Sequence, residues 1–111
     1  MGRVKTAQYD LLIVNLDPTM GSEIKKTRPC VVISPDELNR HLRTIVIAPI
    51  TSQERPYPTR VPAKVSGKAG WIIVEQIRTI DKRRVRKNIG KLAKAEVKQL
   101  KQVIRQTFVD D

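Results

Sequence analysis

Leu11-Leu12-Ile13-Val14-Asn15-Leu16-Asp17-Pro18-Thr19-Met20-Gly21-Ser22-Glu23-Ile24-Lys25-Lys26-Thr27-Arg28-Pro29-Cys30-Val31-Val32-Ile33 sets two short apolar runs on either side of a turn-rich loop. The first run, closed by Asp17-Pro18, reads as a buried strand, and Cys30 to Ile33, closed by Ser34-Pro35, reads as a second. The loop between them carries a hydroxyl, a carboxylate and one arginine placed directly before proline. A residue before proline is pushed out of the helical region, so Arg28 is expected in extended backbone where the second strand begins. A guanidinium on such a stiff base suits bidentate grip of a phosphate.

Working outward, residues 44–48 form a third apolar run, and Pro49 near its end predicts an edge or a bulge. Residues 59–65 read as a strand interrupted by Pro62, and residues 70–75 as another. Residues 77–80 and 89–92 add two short strands, and 36–40 a single helical turn. The end of the chain changes period. Val97, Leu100, Val103, Ile104, Thr107 and Phe108 recur at spacings of three and four, with Lys94, Lys98, Lys101 and Arg105 on the other side. This is an amphipathic helix without a good N-cap at Ala93. The expected fold is mainly β with a C-terminal helix: a small, partly open barrel in one domain spanning 1–111. Trp71 and Phe108 are expected in its core.

Of the 111 residues, 40% are hydrophobic, which excludes wholesale disorder. The net charge of +11 and a pI of about 10.3 point to a polyanionic partner. No apolar stretch approaches membrane-spanning length, and the N-terminus lacks a signal peptide's apolar core. Met1-Gly2 with Thr6 meets a myristoylation pattern too short to carry weight. The single cysteine, Cys30, excludes an internal disulfide and fits a reducing cytoplasm. Between Arg78 and Arg105 stand eleven Lys/Arg against Asp81 and Glu96, a net of +9 that leaves +2 for the rest. Within it, Lys82-Arg83-Arg84-Val85-Arg86-Lys87 concentrates five like charges that call for an anion, so phosphate contact is expected there.

Familiar catalytic sets are absent from the sequence: no Cys/His cluster for zinc, no glycine-rich phosphate loop, no nucleophile elbow. His41 is the only histidine, which excludes a two-histidine ribonuclease mechanism within one subunit. Asp17, Glu23 and Glu75 have no spacing that demands a metal, and no cofactor is implied. What remains lies at strand ends. In an antiparallel pairing of the second and third strands, Arg28 at the start of one falls near Thr51 at the end of the other. A guanidinium and a hydroxyl there could bind the non-bridging oxygens of a phosphodiester and stabilise the charge that grows on them. RNA carries its own nucleophile, the 2′-hydroxyl.

These residues resemble the MazF/PemK-type toxins, sequence-specific endoribonucleases of bacterial toxin–antitoxin pairs. The matching pieces are Asp17-Pro18-Thr19 with Gly21-Ser22-Glu23, Arg28-Pro29 with Val31-Val32, Pro49-Ile50-Thr51-Ser52, and Glu75-Gln76-Ile77-Arg78-Thr79-Ile80-Asp81 before the final helix. The resemblance implies an SH3-like barrel with an added helix, assembled as a homodimer that cuts single-stranded RNA. It also implies a metal-independent reaction leaving a 2′,3′-cyclic phosphate and a 5′-hydroxyl, and inhibition by an acidic antitoxin. Carried over residue by residue, it places the catalytic arginine on Arg28 and the threonine on Thr51, with Glu23 as candidate base. Ser22, Lys25, Lys26, Ser52, Gln53, Tyr57, Gln76, Arg78, Lys82, Arg83, Arg84 and Arg86 are the candidate RNA contacts. Where some members carry a histidine after the loop glycine, this chain has Ser22, so a histidine mechanism is excluded at that position. A proton-transfer role for the arginine conflicts with a guanidinium pKa above about 12. Two alternatives remain: a CcdB-like topoisomerase poison of the same fold, which needs no arginine–threonine pair, and a non-catalytic SH3-like RNA-binding module.

Overall fold

The computed structural model describes residues 4–16 and 27–110. Ser22, Glu23, Lys25 and Lys26 lie outside the described residues. Among the described residues, seven strands and two helices run in the order β1 (Asp10–Asn15), β2 (Thr27–Val32), α1 (Asp36–His41), β3 (Thr44–Thr51), β4 (Arg60–Val65), β5 (Lys68–Ile73), β6 (Arg78–Asp81), β7 (Val85–Lys91) and α2 (Lys94–Phe108). All pairings are antiparallel, in the order β4-β5-β3-β2-β1-β7, with β6 joining β3 beside β5.

The apolar runs of β1–β3 are continuous because both faces of these strands are buried. One face sends Leu12, Val14, Cys30, Val32, Ile45 and Ile47 into a core completed by Ile80 and Val85. The other sends Leu11, Val31, Ala48 and Ile50 into a second core with Val61, Ile72, Val74, Leu92, Leu100 and Val103. The first core fills a curled half-barrel of β1, β2, β3, β6 and β7; the second lies between the sheet and α2. A 3-10 turn at Lys82–Arg84 closes the curl. The Lys82 N–H bonds the carbonyl of Arg43 just before β3, and Arg84 Nη1 reaches the carbonyl of Asn15 at the end of β1, 3.3 Å away.

Pro49 departs from expectation. β3 is a central strand, and Pro49 is buried opposite Cys30 of β2. The Ile33 N–H bonds the Val46 carbonyl, which sets the alternation so that the Pro49 nitrogen faces away from β2. There β3 has left β6, its partner through Ile47, and does not pair with β5 until Ile50. The missing donor falls where no ladder needs it. Pro62, by contrast, sits on β4, an edge strand, as such a residue requires.

Strand β7 is longer than the sequence suggested, starting at Val85 inside the charged cluster, because Val85 points into the barrel core while Arg86 and Lys87 face solvent. Helix α2 is preceded by Ala93 as an N-cap that offers no side-chain bond; Glu96 instead reaches back to accept the Ala93 N–H at 2.9 Å. Its second oxygen accepts the Lys64 N–H of edge strand β4 at 2.8 Å, fastening helix to sheet. The core expectation fails for two aromatics. Trp71 is half-buried and Phe108 is 57% exposed, since burial along the helix runs through Leu100 and Val103 and fades in the last turn.

Candidate active-site cleft

Arg28 lies in β2 opposite Val14, in the extended backbone that Pro29 imposes. Thr51 ends β3 opposite Trp71 of β5. The β2–β3 register pairs Cys30 with Pro49, Val31 with Ala48 and Val32 with Ile47. Continued by two residues, it sets Arg28 across from Thr51. Both line one cleft of about 500 Å3, together with Pro29, Ile50, Ser52, Gln53, Val65, Lys68, Ala69 and Gly70. Arginine, hydroxyl, lysine and amide thus meet where three strand ends converge.

The hydroxyl is oriented. Thr51 Oγ1 accepts the Gln53 N–H at 3.1 Å, which occupies one lone pair and leaves the hydroxyl proton available to an incoming oxygen. Gln53 Oε1 in turn accepts from Arg55 Nη2 at 3.2 Å, bracing the turn after β3. Beneath Arg28, the Cys30 thiol is fully buried and contacts the Arg28 carbonyl at 3.6 Å. Burial pushes this thiol up to about 12, against the opposing pull of the Arg28 and Arg78 charges. Arg78 opens β6 opposite Ile47 of β3 and is exposed.

Lys68 is the cleft residue that sequence reasoning missed. It is the first residue of β5, pairs with Val65 of β4, and follows a two-residue turn in which Ser66 (φ 51°) and Gly67 (φ 79°) are both left-handed. Such turns match the twist of a hairpin and hold it rigidly. The Ser66-Gly67 dipeptide between two apolar runs was the available signal. Gly70 forms part of the wall: a Cβ there would lie 2.9 Å from Ile50 Cγ2.

Other expected contacts sit elsewhere. Tyr57 is half-exposed and packs its ring against Arg60, 4.9 Å from guanidinium carbon to ring centroid. Arg60 and the Thr59 hydroxyl both donate to Glu75, at 2.8 and 2.6 Å. Although burial raises the Glu75 carboxyl, those hydrogen bonds outweigh it and hold the group below the usual carboxylate range. Glu75 is thus occupied outside the cleft, and Gln76 beside it is exposed.

In the charged cluster after β6 one cation has a carboxylate partner and others reach backbone carbonyls. Arg83 donates to Asp81 through Nε and Nη2, holding that carboxyl low. Lys82 Nζ bonds the Asn39 carbonyl, and Arg86 Nη1 donates to the Arg83 carbonyl. Arg84 comes to the same end of the sheet as Arg28, since Val85 pairs with Val14 and Val14 with Arg28. Two strand spacings, about 10 Å, separate Arg28 from Val85, the residue after Arg84. Among the described residues no three His, Cys, Asp or Glu side chains converge, and no helix is long and apolar enough to cross a membrane.

Comparison with known proteins agrees with this geometry over nearly the whole length. Residues 7–108 match the family described as PemK-like, MazF-like toxin of type II toxin-antitoxin system. The endoribonuclease MazF of Staphylococcus saprophyticus is 33% identical over 101 residues, covering 86% of this chain and 84% of that protein. Among solved structures, Mycobacterium tuberculosis toxin MazF-mt6 superposes with a TM-score of 0.77 at 24% identity, covering 92% of this chain and 98% of that one. A mycobacterial endoribonuclease in complex with its cognate antitoxin gives a TM-score of 0.78 at 18% identity, covering 92% and 93%. At those identities the structural likeness speaks to the fold.

Proposed function

Because this chain belongs to the PemK-like, MazF-like toxins of type II toxin–antitoxin systems, we infer that it is a sequence-specific endoribonuclease acting on single-stranded RNA in the cytoplasm, with Arg28 and Thr51 at its catalytic centre. The observation that carries the reading is the meeting of Arg28, Thr51 and Lys68 in one cleft. The ribose 2′-oxygen attacks its own 3′-phosphorus; the new P–O2′ bond forms as the P–O5′ bond breaks. The products are a 2′,3′-cyclic phosphate and a 5′-hydroxyl. Arg28 stabilises charge growing on the non-bridging oxygens, Thr51 orients one of them, and the 5′-oxygen takes up a proton from solvent water as it leaves. Glu23 is the candidate to receive the 2′-hydroxyl proton. Arg28, permanently charged, acts by electrostatics. No cofactor or metal ion is required by this scheme.

Two copies are proposed to assemble as a homodimer, with an antitoxin whose acidic tail enters the same cleft and displaces RNA by charge and volume. The mycobacterial relative solved with its cognate antitoxin supports the partner class. The test is a long RNA incubated with purified protein in EDTA. Discrete cuts ending in 2′,3′-cyclic phosphate, lost in Arg28→Ala and Thr51→Ala while RNA binding persists, support the reading. Uncut RNA with the unaltered protein overturns it.

A further inference from the structure

Helix α2 presents a row of cations that the cleft chemistry does not use. Lys94, Lys98, Lys101 and Arg105 are all exposed. At 3.6 residues per turn their spacing confines them to an arc of about 60° over about 16 Å of helix. Like charges three and four residues apart oppose helix formation by a few tenths of a kcal/mol per pair. The ion pairs found among the described residues, Arg60–Glu75 and Arg83–Asp81, involve none of them. The helix's one acid, Glu96, faces the other way and spends both oxygens on the backbone of Ala93 and Lys64. Asp110, just beyond the helix, makes no ion pair with Arg105. Lys101 stands over the Tyr9 ring, 5.8 Å from its centroid. Beside the cations runs a row of exposed amides, Gln99, Gln102 and Gln106.

The first turn of α2, which carries Lys94, is tied to the hairpin whose end lines the cleft. Glu96 fixes the first turn of α2 against Lys64; Val65 follows it, and Lys68 across the hairpin lines the cleft. The apolar arc of α2 is spent on the core under it through Val97, Leu100, Val103 and Ile104, so along most of its length the outer face offers cations and amides, with exposed Phe108 and Val109 only at its C-terminal end.

We propose that the outer face of α2 is a second, sequence-independent binding surface for single-stranded nucleic acid, carrying the phosphate backbone of the strand that leaves the cleft. This rests on the RNA reading of the cleft, yet is tested apart from it. Binding is measured by titrating salt against random-sequence 2′-O-methyl RNA pools of about 5 and about 20 nucleotides, which cannot be cut. The protein is compared with the variant K94Q/K98Q/K101Q/R105Q and with the charge-preserving K94R/K98R/K101R/R105K. Unaltered protein binds the long pool better than the short one. In the glutamine variant that advantage disappears, and four lost phosphate contacts lower the salt slope by about 2.8, so that affinity lost between about 50 and about 200 mM salt shrinks by about 50-fold. The short pool binds as before, and the charge-preserving variant keeps the advantage. A long-pool advantage and slope unchanged in the glutamine variant overturn the proposal. So does loss of the advantage in both variants alike, which would mark a defect of folding. Loss instead of binding to polyglutamate or to anionic phosphatidylserine vesicles, with RNA binding intact, assigns the surface to another partner and also overturns it. Should the unaltered protein fail to cut any RNA while the length advantage behaves as described, the nuclease reading falls and the surface stands.

Discussion

Replacing Thr51 by valine removes a hydroxyl and almost nothing else. Valine keeps the branched shape that a strand terminus opposite Trp71 accepts. The Gln53 N–H loses its acceptor, a half-exposed bond worth about 1 kcal/mol. With an unfolding entropy of about 2.1 cal/mol/K per residue over 111 residues, about 0.23 kcal/mol/K in all, Tm falls by about 4 °C. The effect on rate is far larger. A preoriented donor to a developing oxyanion is worth about 3–4 kcal/mol in a preorganised site, so kcat falls about 100- to 1000-fold. Thr51→Ser restores the donor and most of the rate. The assay is single-turnover cleavage of an end-labelled RNA in EDTA, with Tm followed by circular dichroism on the same samples. A Thr51→Val protein that cuts within about threefold of the parent would refute the role given to this hydroxyl.

Lys68→Gln removes one cation from the cleft wall; a charge-assisted contact worth about 1.5–3 kcal/mol predicts a fall in kcat/KM of about 10- to 150-fold with little change in Tm, read in the same cleavage assay. Gly70→Ala puts a Cβ 2.9 Å from Ile50 Cγ2, closer than van der Waals contact allows, and is expected to cost about 1–3 kcal/mol in a urea titration while narrowing the cleft. Cys30 binds its proton more tightly folded, at about 12 against 9.0 for the free thiol, so its stabilisation is full below pH 9 and lost as pH rises toward 12. Cys30→Ala is expected to remove a slope of up to about 1.4 kcal/mol per pH unit in that window, and in the parent protein the thiol is expected to react with a disulfide reagent at neutral pH only after unfolding.

The apolar runs at residues 11–16 and 30–33 were legible because strands covered on both faces show no alternation. The meeting of Arg28 and Thr51 was legible because antiparallel register is arithmetic once two strands are placed. Pro49 misled because strand rules assume one partner on each side, whereas β3 changes partner on one edge midway. The first half of β7 was hidden because Val85-Arg86-Lys87 reads as part of a charge run, and only the barrel's closure shows Val85 to be interior. Lys68 was missed for want of weight on Ser66-Gly67, and Phe108 was misplaced because helical periodicity fixes an arc but not how far along the helix the sheet continues. The hydrogen bonds from Lys82, Arg84 and Arg86 to backbone carbonyls left no trace in composition.

The back-to-back cores make β1, β2 and β3 intolerant of any change in length. Deleting one residue from the middle of β2 would exchange Val31 with its neighbours Cys30 and Val32, turning the strand inside out and leaving both compartments misfilled at once. Length variation that keeps the protein soluble in a library of single-residue deletions is therefore expected only in connections such as residues 52–59, where the exposed backbone carries neither core.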